Sequence, residues 1–277
     1  MPEDIPSPLC RAVDLLQAVF YAWREARLHW KLHDYKADGD KLRVYVSYLS
    51  TGTLDGIRGV FDTFPELNRH SPEGRAILAF CGCDDPMSYL SNICRKVFDT
   101  IDMTVEEIAA EMLASLKYVV EHNVDKGGSE DQTSYEHSFY RVLTASGQRF
   151  AIDLSCAQYG IQQPVMVWHE YMDKFVEDVK EVNGFGSYEE GTSNSARWLR
   201  TMADDMDGAV DAWEMQHLSL ADLLQLEEPE YQKLKESLAD EIKCAVKAGL
   251  RNRYRRWNLP KDTSRLTLSE RTTSSTI

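Results

Sequence analysis

The sequence predicts an α+β protein that is mostly helical and has a small antiparallel sheet. Apolar residues recur every three to four positions over long stretches, which is the period of an amphipathic helix. Residues 42–50 and 137–155 instead alternate or are rich in Val, Tyr and Phe, as strands are. With 277 residues, 43% of them hydrophobic, the chain is long enough to bury a sizeable core.

The predicted elements form one domain over residues 9–261. Residues 1–8 are predicted to be a flexible leader, and residues 262–277, rich in Ser and Thr, a disordered tail. Residues 42–50 predict a strand, and residues 51–67, with three glycines and a proline, predict a loop. Helices are predicted over residues 9–32, 71–83, 85–98, 102–123, 167–179 and 231–257, and the pattern is helical throughout from about residue 196.

Helix-start signals support several of these elements. Ser71 and Asp85 each precede a proline, which suits the first turn of a helix. Residues 102–123 carry the clearest pattern, because Thr104 and Glu107 form a capping box and apolar residues then recur every four positions. Residues 183–195 predict a flexible connection before the C-terminal helical region.

Charge and composition exclude some classes of protein. The net charge is −14, from 31 basic and 45 acidic residues, which argues against a large nucleic-acid surface. No apolar run is long enough to cross a bilayer, and the first residues lack a secretory signal, so we predict a cytoplasmic protein without a membrane partner. The six cysteines include no CxxC pair and no zinc-finger spacing, so no metal is predicted.

Residues 137–155 predict a β-hairpin that starts on His137 and reaches Asp153. If the turn centres on Ala145, the two side chains face each other on the same face of adjacent strands. A two-residue turn at Ser146-Gly147 would instead place them on opposite faces. With the first register, the other face carries the apolar side chains of Tyr140, Val142, Phe150 and Ile152.

A histidine paired with a carboxylate is suited to thiol activation, because the carboxylate holds one tautomer and one orientation of the ring. A helix N-terminus lowers the pKa of a thiol, so the nucleophile is expected just before a helix. Cys83 meets this condition, although Asp84 and Asp85 would raise its pKa. His137 and Asp153 would then complete a Cys-His-Asp triad. The alternative is that they are two polar residues on an ordinary hairpin.

Other residues near these positions leave alternatives open. Cys94 lies on the apolar face of a predicted helix and is expected in the core, whereas Cys81 is a second possible nucleophile. Gln158 is either a polar site residue or a buried hydrogen-bonding strut. Tyr159 and Trp168 are candidates for binding the substrate.

A cysteine at a helix start, a strand led by histidine, a hairpin and an aspartate in the next strand together resemble the transglutaminase-like branch of the papain-type thiol fold. The matching positions are Cys83, His137 and Asp153, within residues 82–160. The run AIDLSCAQYG also resembles a run found in uncharacterised filamentous-fungal proteins. The resemblance implies an acyl-transfer enzyme that forms or cleaves an amide or ester in fungal small-molecule or peptide metabolism. Its partner would be a small-molecule or peptide acyl donor, and this chemistry needs no cofactor.

Two charged regions suggest an alternative. The C-terminal helix has a cationic stripe that could bind RNA, formed by Arg251, Arg253, Arg255 and Arg256, or its cations simply complement the helix dipole. Asp204 and Asp205 could bind a cationic substrate group such as an arginine side chain, or lie on a solvated face. This general character is similar to fungal arginine-containing cyclodipeptide synthases, which use aminoacyl-tRNA. A third possibility is a non-catalytic interaction protein on the same scaffold.

Overall fold

The computed structural model describes residues 5–27, 30–48, 67, 69–127, 129–130, 136–188 and 197–258. Of these residues, 52% are helical and 26% lie in strands, so the predicted α+β class with an excess of helix is confirmed. The helices are α1 (Ser7–Ala26), α2 (Pro72–Ala79), α3 (Asp85–Tyr89), α4 (Ser91–Asp99), α5 (Trp168–Phe175), α6 (Arg197–Gln216), α7 (Leu220–Leu223) and α8 (Glu228–Asn258). The strands are β1 (Trp30–Asp38), β2 (Lys41–Tyr48), β3 (Thr104–Met112), β4 (Val119–Asn123), β5 (Ser129–Glu130), β6 (Glu136–Leu143), β7 (Arg149–Ile152), β8 (Val165–Val167) and β9 (Val176–Gly184).

Helix α1 is buried around most of its circumference because α8, α2 and α4 all pack against it. It begins at Ser7, so the last two residues of the predicted leader are helical. It ends at Ala26 rather than near residue 32, because the chain becomes extended at Arg27 and enters β1 at Trp30. The predicted helix therefore ran across the start of a strand, whose pairing with β2 a local pattern does not reveal. The predicted tail lies outside the described residues.

Strands β1, β2, β4 and β5 form one sheet, in that order. β1 and β2 are an antiparallel hairpin, while β2 pairs in parallel with β4. The strand predicted over residues 42–50 is thus confirmed as β2, whereas β1 was not predicted. This sheet has its own apolar core, closed by two residues of α2, with the members Trp30, Leu32, Leu42, Val44, Val46, Ala76, Ile77 and Val119. Almost all of the loop predicted over residues 51–67 lies outside the described residues.

The second sheet is antiparallel, has the order β8-β7-β6-β3-β9, and carries the predicted His-Asp pair. Both of its faces are covered. The face predicted to be buried packs in the main core with α1, α4, α6, α7 and α8, through Tyr140, Val142, Phe150 and Ile152. The opposite face packs against α5, and Phe139, Ala151 and Tyr171 belong to that separate cluster.

The helix predicted over residues 102–123 is wrong: this segment forms β3, a short 3-10 turn and β4. β3 lies between β6 and β9, and Ile108, Ala109 and Ala110 are all buried, so side chains on both faces of the strand are covered. Its apolar residues and glutamates recur with the spacing of a helix, and this local pattern does not reveal the strands on either side of it. Glu107, expected in a capping box, instead accepts hydrogen bonds from the backbone of Gly186 and Tyr188.

The C-terminal region is helical, as predicted, and α8 packs along α1 and α6. The prediction over residues 167–179 is correct only for its first part, because α5 ends at Phe175 and β9 follows. β9 also includes the first two residues of the connection predicted over residues 183–195. No helix in the described part of the chain is long and apolar enough to span a membrane.

Candidate active site

The predicted contact between His137 and Asp153 is confirmed. His137 Nε2 lies 2.8 Å from Asp153 Oδ2, and both side chains are excluded from solvent, with exposures of 0% and 1%. His137 stands near the start of β6, while Asp153 follows directly after β7. The two strands of the hairpin therefore bring together two titratable side chains that are sixteen residues apart.

The hairpin register differs from both registers considered above. The Thr144 N–H donates to the Gln148 carbonyl at 3.0 Å, so a three-residue loop, residues 145–147, joins the strands and centres on Ser146 rather than Ala145. His137 and Asp153 are on the same face, as expected, but they are not directly opposite. Continuing the register places Asp153 across from Phe139, and the contact with His137 is diagonal, which adjacent strands permit.

A local turn explains how Asp153 leaves the strand without exposing its carboxylate. Its backbone N–H donates to the Pro164 carbonyl at 2.8 Å, and its Oδ1 accepts from the Ser155 N–H at 3.0 Å and the Ser155 hydroxyl at 3.1 Å. Aspartate commonly bonds the backbone two residues further on, which turns the chain. A 3-10 turn over Cys156–Tyr159 follows and ends at Gly160, whose φ of 77° is in the left-handed region.

Tyr171 completes the surroundings of the Asp153 carboxylate. Its hydroxyl donates to Asp153 Oδ2 at 2.7 Å, on the same oxygen that His137 contacts. Burial and the neighbouring Asp153 raise the pKa of Tyr171 well above its ordinary value, so the phenol keeps its proton and acts as a donor. Asp153 thus accepts four hydrogen bonds in a buried site, which fixes the direction in which it faces His137.

The other ring nitrogen of His137 faces Gln158. Gln158 Nε2 lies 3.4 Å from His137 Nδ1, and Gln158 Oε1 accepts from the Cys81 N–H at 3.3 Å. If Nε2 carries the proton that bonds Asp153, Nδ1 presents a lone pair, which is the tautomer a general base needs. The ring of Tyr159 stands edge-on to the imidazole at a centroid distance of 4.9 Å.

Cys83 lies against the strand that carries His137. Its Sγ is 3.8 Å from the Glu136 carbonyl oxygen, to which the thiol donates. The pairing of β7 with β6 ends at Tyr140, so the first residues of β6 have no partner in β7. The thiol lies along this part of β6. Cys83 therefore contacts the backbone of the residue that precedes His137, although no hydrogen bond between Cys83 and His137 is present among the described residues.

The surroundings of Cys83 favour the thiol over the thiolate. Desolvation raises the pKa of Cys83 well above its ordinary value, and the carboxylate of Asp84 raises it further. Asp84 Oδ1 is 3.7 Å from the sulfur. The predicted effect of Asp84 is thus confirmed in direction. The predicted helix contributes little, because α3 has only five residues and begins two positions after Cys83.

We expect alkylation of Cys83 to increase about tenfold per pH unit from pH 6 to pH 9 without levelling off, because its raised pKa keeps the thiolate fraction small throughout. Peptide-resolved mass spectrometry after short iodoacetamide pulses would give this rate. In urea, the same residue should level off above about pH 9, near an ordinary cysteine pKa. A plateau near neutral pH in the folded protein would instead mean a stable thiolate–imidazolium pair.

A buried arginine holds the turn that contains Cys81, Gly82 and Cys83. Arg24 of α1 donates to the Leu78 and Phe80 carbonyls, each at 2.7 Å, and to Asp85 Oδ2 at 2.6 Å. Gly82 packs so closely on this guanidinium that a Cβ there would lie 3.1 Å from its Cζ. Cys81 has a φ of 52°, a conformation that residues other than glycine rarely adopt.

The remaining cysteines differ in environment. Cys94 is buried, accepts a hydrogen bond from the Tyr140 hydroxyl at 3.7 Å, and has a pKa raised to about 12 by burial, as suits the predicted core residue. Burial also raises the pKa of Cys156 well above its ordinary value. Cys10 and Cys244 are exposed, so any labelling experiment has to separate them from Cys83.

The residues predicted to bind substrate or RNA lie in varied surroundings. Asp204 is exposed on α6, while Asp205 forms an ion pair with Arg253 at 2.6 Å. Arg251 is exposed, whereas the side chains of Arg255 and Arg256 are outside the described part of the structure. Trp168 lies under the guanidinium of Arg141, 5.1 Å from its Cζ, on the same face of the sheet as Phe139. Their predicted roles in binding stay predictions.

Several site residues were not predicted. Ser155 could have been recognised, because a polar residue two positions after an aspartate often receives its hydrogen bond. Tyr171 and Arg24 gave no local signal, since each reaches the site from a separate element of the fold. Ser138 lies next to His137 on β6, but its partner Asp84 is 54 residues away in the chain.

Comparisons with protein-family models, with curated proteins and with solved structures found no match. The fold and the site therefore define this protein as an α+β protein with a buried His-Asp pair and an adjacent cysteine turn.

Proposed function

We propose that this protein is an acyl-transfer enzyme that forms or cleaves an amide or ester through Cys83, His137 and Asp153. The observation that carries the proposal is the position of the Cys83 thiol, which donates to the backbone carbonyl of Glu136, directly before a histidine that a buried aspartate orients. A general base, its orienting carboxylate and a nucleophile are the three parts that this chemistry needs.

In the proposed mechanism, His137 Nδ1 takes the thiol proton as Cys83 Sγ attacks a carbonyl carbon. The tetrahedral intermediate collapses, the bond to the leaving group breaks, and His137 returns the proton to that group. Asp153 stabilises the imidazolium between these steps. Water then hydrolyses the thioester, or an amine accepts the acyl group. Because the resting thiol is protonated, His137 has to remove the proton during the attack itself.

Gln158 occupies Nδ1 in the resting arrangement, and its contact of 3.4 Å is long for a hydrogen bond. A weak partner of this kind protects the lone pair in the buried site and is readily displaced by the thiol. Gln158 is thus proposed as a site residue rather than only a strut. It also joins His137 to the backbone of Cys81, which keeps the histidine aligned with the cysteine turn.

The resemblance to the transglutaminase-like branch of the papain-type fold belongs to this proposal. An antiparallel sheet with the histidine strand beside the aspartate strand supports it, as does the cysteine before a helix. The shortness of α3 departs from the expected buried helix behind the nucleophile. No observation favours the aminoacyl-tRNA-dependent alternative over this one, because Arg253 is already paired with Asp205.

The proposal predicts that an activated ester acylates Cys83 in a reaction that depends on His137. In a Cys10→Ser, Cys244→Ser background, p-nitrophenyl acetate should acetylate Cys83, as located by peptide mass spectrometry. His137→Gln should slow this acylation on the order of 100-fold, because general-base catalysis contributes about that much. Cys81→Ser should leave the acetyl group on Cys83.

Each variant needs a thermal unfolding curve, because His137 is buried and its replacement also affects stability. A folded His137→Gln protein that acylates at the original rate would contradict the proposed base. Acetyl groups found only on Cys81 would transfer the role of nucleophile to that residue. A folded protein in which no cysteine is acetylated would favour the non-catalytic scaffold.

A further inference from the structure

A chain of hydrogen bonds leads from the Cys83 thiol to a tyrosine beside it. The Ser138 hydroxyl donates to Asp84 Oδ1 at 2.6 Å, and its oxygen lies 3.2 Å from the Tyr188 hydroxyl, within hydrogen-bond distance. Asp84 Oδ1 is also the atom that lies 3.7 Å from Cys83 Sγ. Neither Asp84 nor Tyr188 serves the proposed proton transfer, so their alignment beside the sulfur needs a separate explanation.

A buried carboxylate holds Tyr188 in this position. Glu107, on the interior strand β3, is 0% exposed and accepts from the Gly186 N–H and the Tyr188 N–H, each at 2.9 Å. Burying a carboxylate is costly unless hydrogen bonds compensate it. This one fixes the turn after β9 and thereby places the half-buried Tyr188 ring next to Ser138 and Asp84.

Asp84 has no cationic partner among the described residues. It is exposed, and its two hydrogen-bond partners are the Ser138 hydroxyl and the Cys83 thiol. The nearest comparable carboxylate, Asp85, is by contrast neutralised by Arg24. Glu136, whose carbonyl contacts the thiol, also has an exposed side chain. The approach to the sulfur thus combines a fixed negative charge with an aromatic ring, and both attract cations.

We propose that Asp84 and Tyr188 form a subsite, next to Cys83, for a cationic nitrogen group of the substrate. The ligand chemistry is an alkylammonium or guanidinium group, which would bond the free oxygen of Asp84 and lie against the ring of Tyr188. This inference rests on the proposed function, because it assigns the class of substrate for the same thiol. It differs from the earlier prediction that Asp204 and Asp205 bind the cation.

Charged thiol reagents of similar size test the subsite without a known substrate. We would measure the modification rates of Cys83 with 2-ammonioethyl, methyl and 2-sulfonatoethyl methanethiosulfonate, in the Cys10→Ser, Cys244→Ser background. At low salt the cationic reagent should react at least about tenfold faster than the anionic one, and 0.5 M salt should reduce this ratio. Normalising to the neutral reagent removes differences in thiolate fraction.

Asp84→Asn should reduce the cation-to-anion ratio at least about threefold, because the amide keeps the contact with Ser138 but removes the charge. Tyr188→Leu should slow the cationic reagent more than the neutral one, whereas Tyr188→Phe should retain the ring effect. Asp40→Asn is the matched control, since it removes an exposed charge from the β1–β2 turn in the other sheet. Its ratio should equal that of the parent protein.

The subsite would be overturned by a cation-to-anion ratio near one in the parent protein. It would also be overturned if neither Asp84→Asn nor Asp40→Asn changed this ratio. If the ratio depends on Asp84 but ester acylation does not need His137, the subsite is supported and the proposed mechanism is refuted. If acylation needs His137 but charge has no influence, the mechanism stands and the subsite fails. Guanidinium and alkylammonium ions as competitors would distinguish the two cationic groups.

Discussion

Replacing Asp153 by alanine is expected to lower the free energy of unfolding by about 3–5 kcal/mol, because it leaves several buried polar groups without their partner. The four donated hydrogen bonds come from His137, Tyr171 and twice from Ser155, and all of these groups are buried. Urea unfolding followed by circular dichroism would measure the loss. We also expect the variant to lose acylation of Cys83, since the ring of His137 is no longer oriented.

Two further variants separate orientation from stability. Asp153→Asn keeps the size of the side chain, but its amide presents one acceptor oxygen in place of two, so acylation should fall strongly while less stability is lost. Asp38→Ala removes an exposed carboxylate that pairs with Arg43, so its effect on stability should be much smaller. If Asp153→Ala were as mild as Asp38→Ala, the buried network would not contribute to stability as described.

The second large effect is expected at Arg24. Arg24→Met should destabilise the protein by about 3–5 kcal/mol, because it removes three hydrogen bonds and leaves Asp85 without its closest counter-charge. The change should also disorganise the cysteine turn, so that modification of Cys83 becomes less sensitive to His137. Chemical denaturation gives the first quantity, and alkylation rates with and without His137→Gln give the second.

Arg24→Lys keeps the positive charge but not the planar fork that reaches two carbonyls and a carboxylate together, so we expect it to restore only part of the stability. Arg11→Met is the matched control on the same helix. Arg11 also donates to two carbonyls, those of Leu224 and Leu226, but it is partly exposed and its carboxylate partner Glu228 is exposed, so its loss leaves no buried charge unpaired and should have a smaller effect. Equal losses for Arg24→Met and Arg11→Met would contradict the role given to the buried guanidinium.

Much of the candidate site followed from local patterns. The alternation of residues 137–155 correctly predicted a hairpin. Of the two registers considered, the one that placed Tyr140 and Ile152 on one buried face and His137 and Asp153 on the other gave the observed faces. The composition of the turn left its length open. Because the loop has three residues, His137 and Asp153 meet diagonally and not directly opposite each other as expected. Ser71 caps α2 as predicted, by accepting from the Gly74 N–H at 3.0 Å.

Other elements depended on contacts that no local pattern contains. β3 has the apolar spacing and the residue types of a helix, yet pairing with β6 and β9 on both sides makes it a strand. Intrinsic propensities differ by less than about 1 kcal/mol per residue for most residue types, so burial and pairing across the sheet override them. The same long-range pairing ended α1 at Ala26 and began β1 at Trp30.

By itself the sequence determined the α+β class, the hairpin and the long C-terminal helix, because each depends on the periodicity of neighbouring residues. Only the tertiary structure decided which cysteine lies beside His137 and what surrounds it. Arg24 meets Asp85 across 61 residues of chain, and Tyr171 reaches Asp153 from the helix that packs on this face of the sheet. Such contacts form because buried charges and hydroxyls require partners, and the packing of whole elements selects those partners.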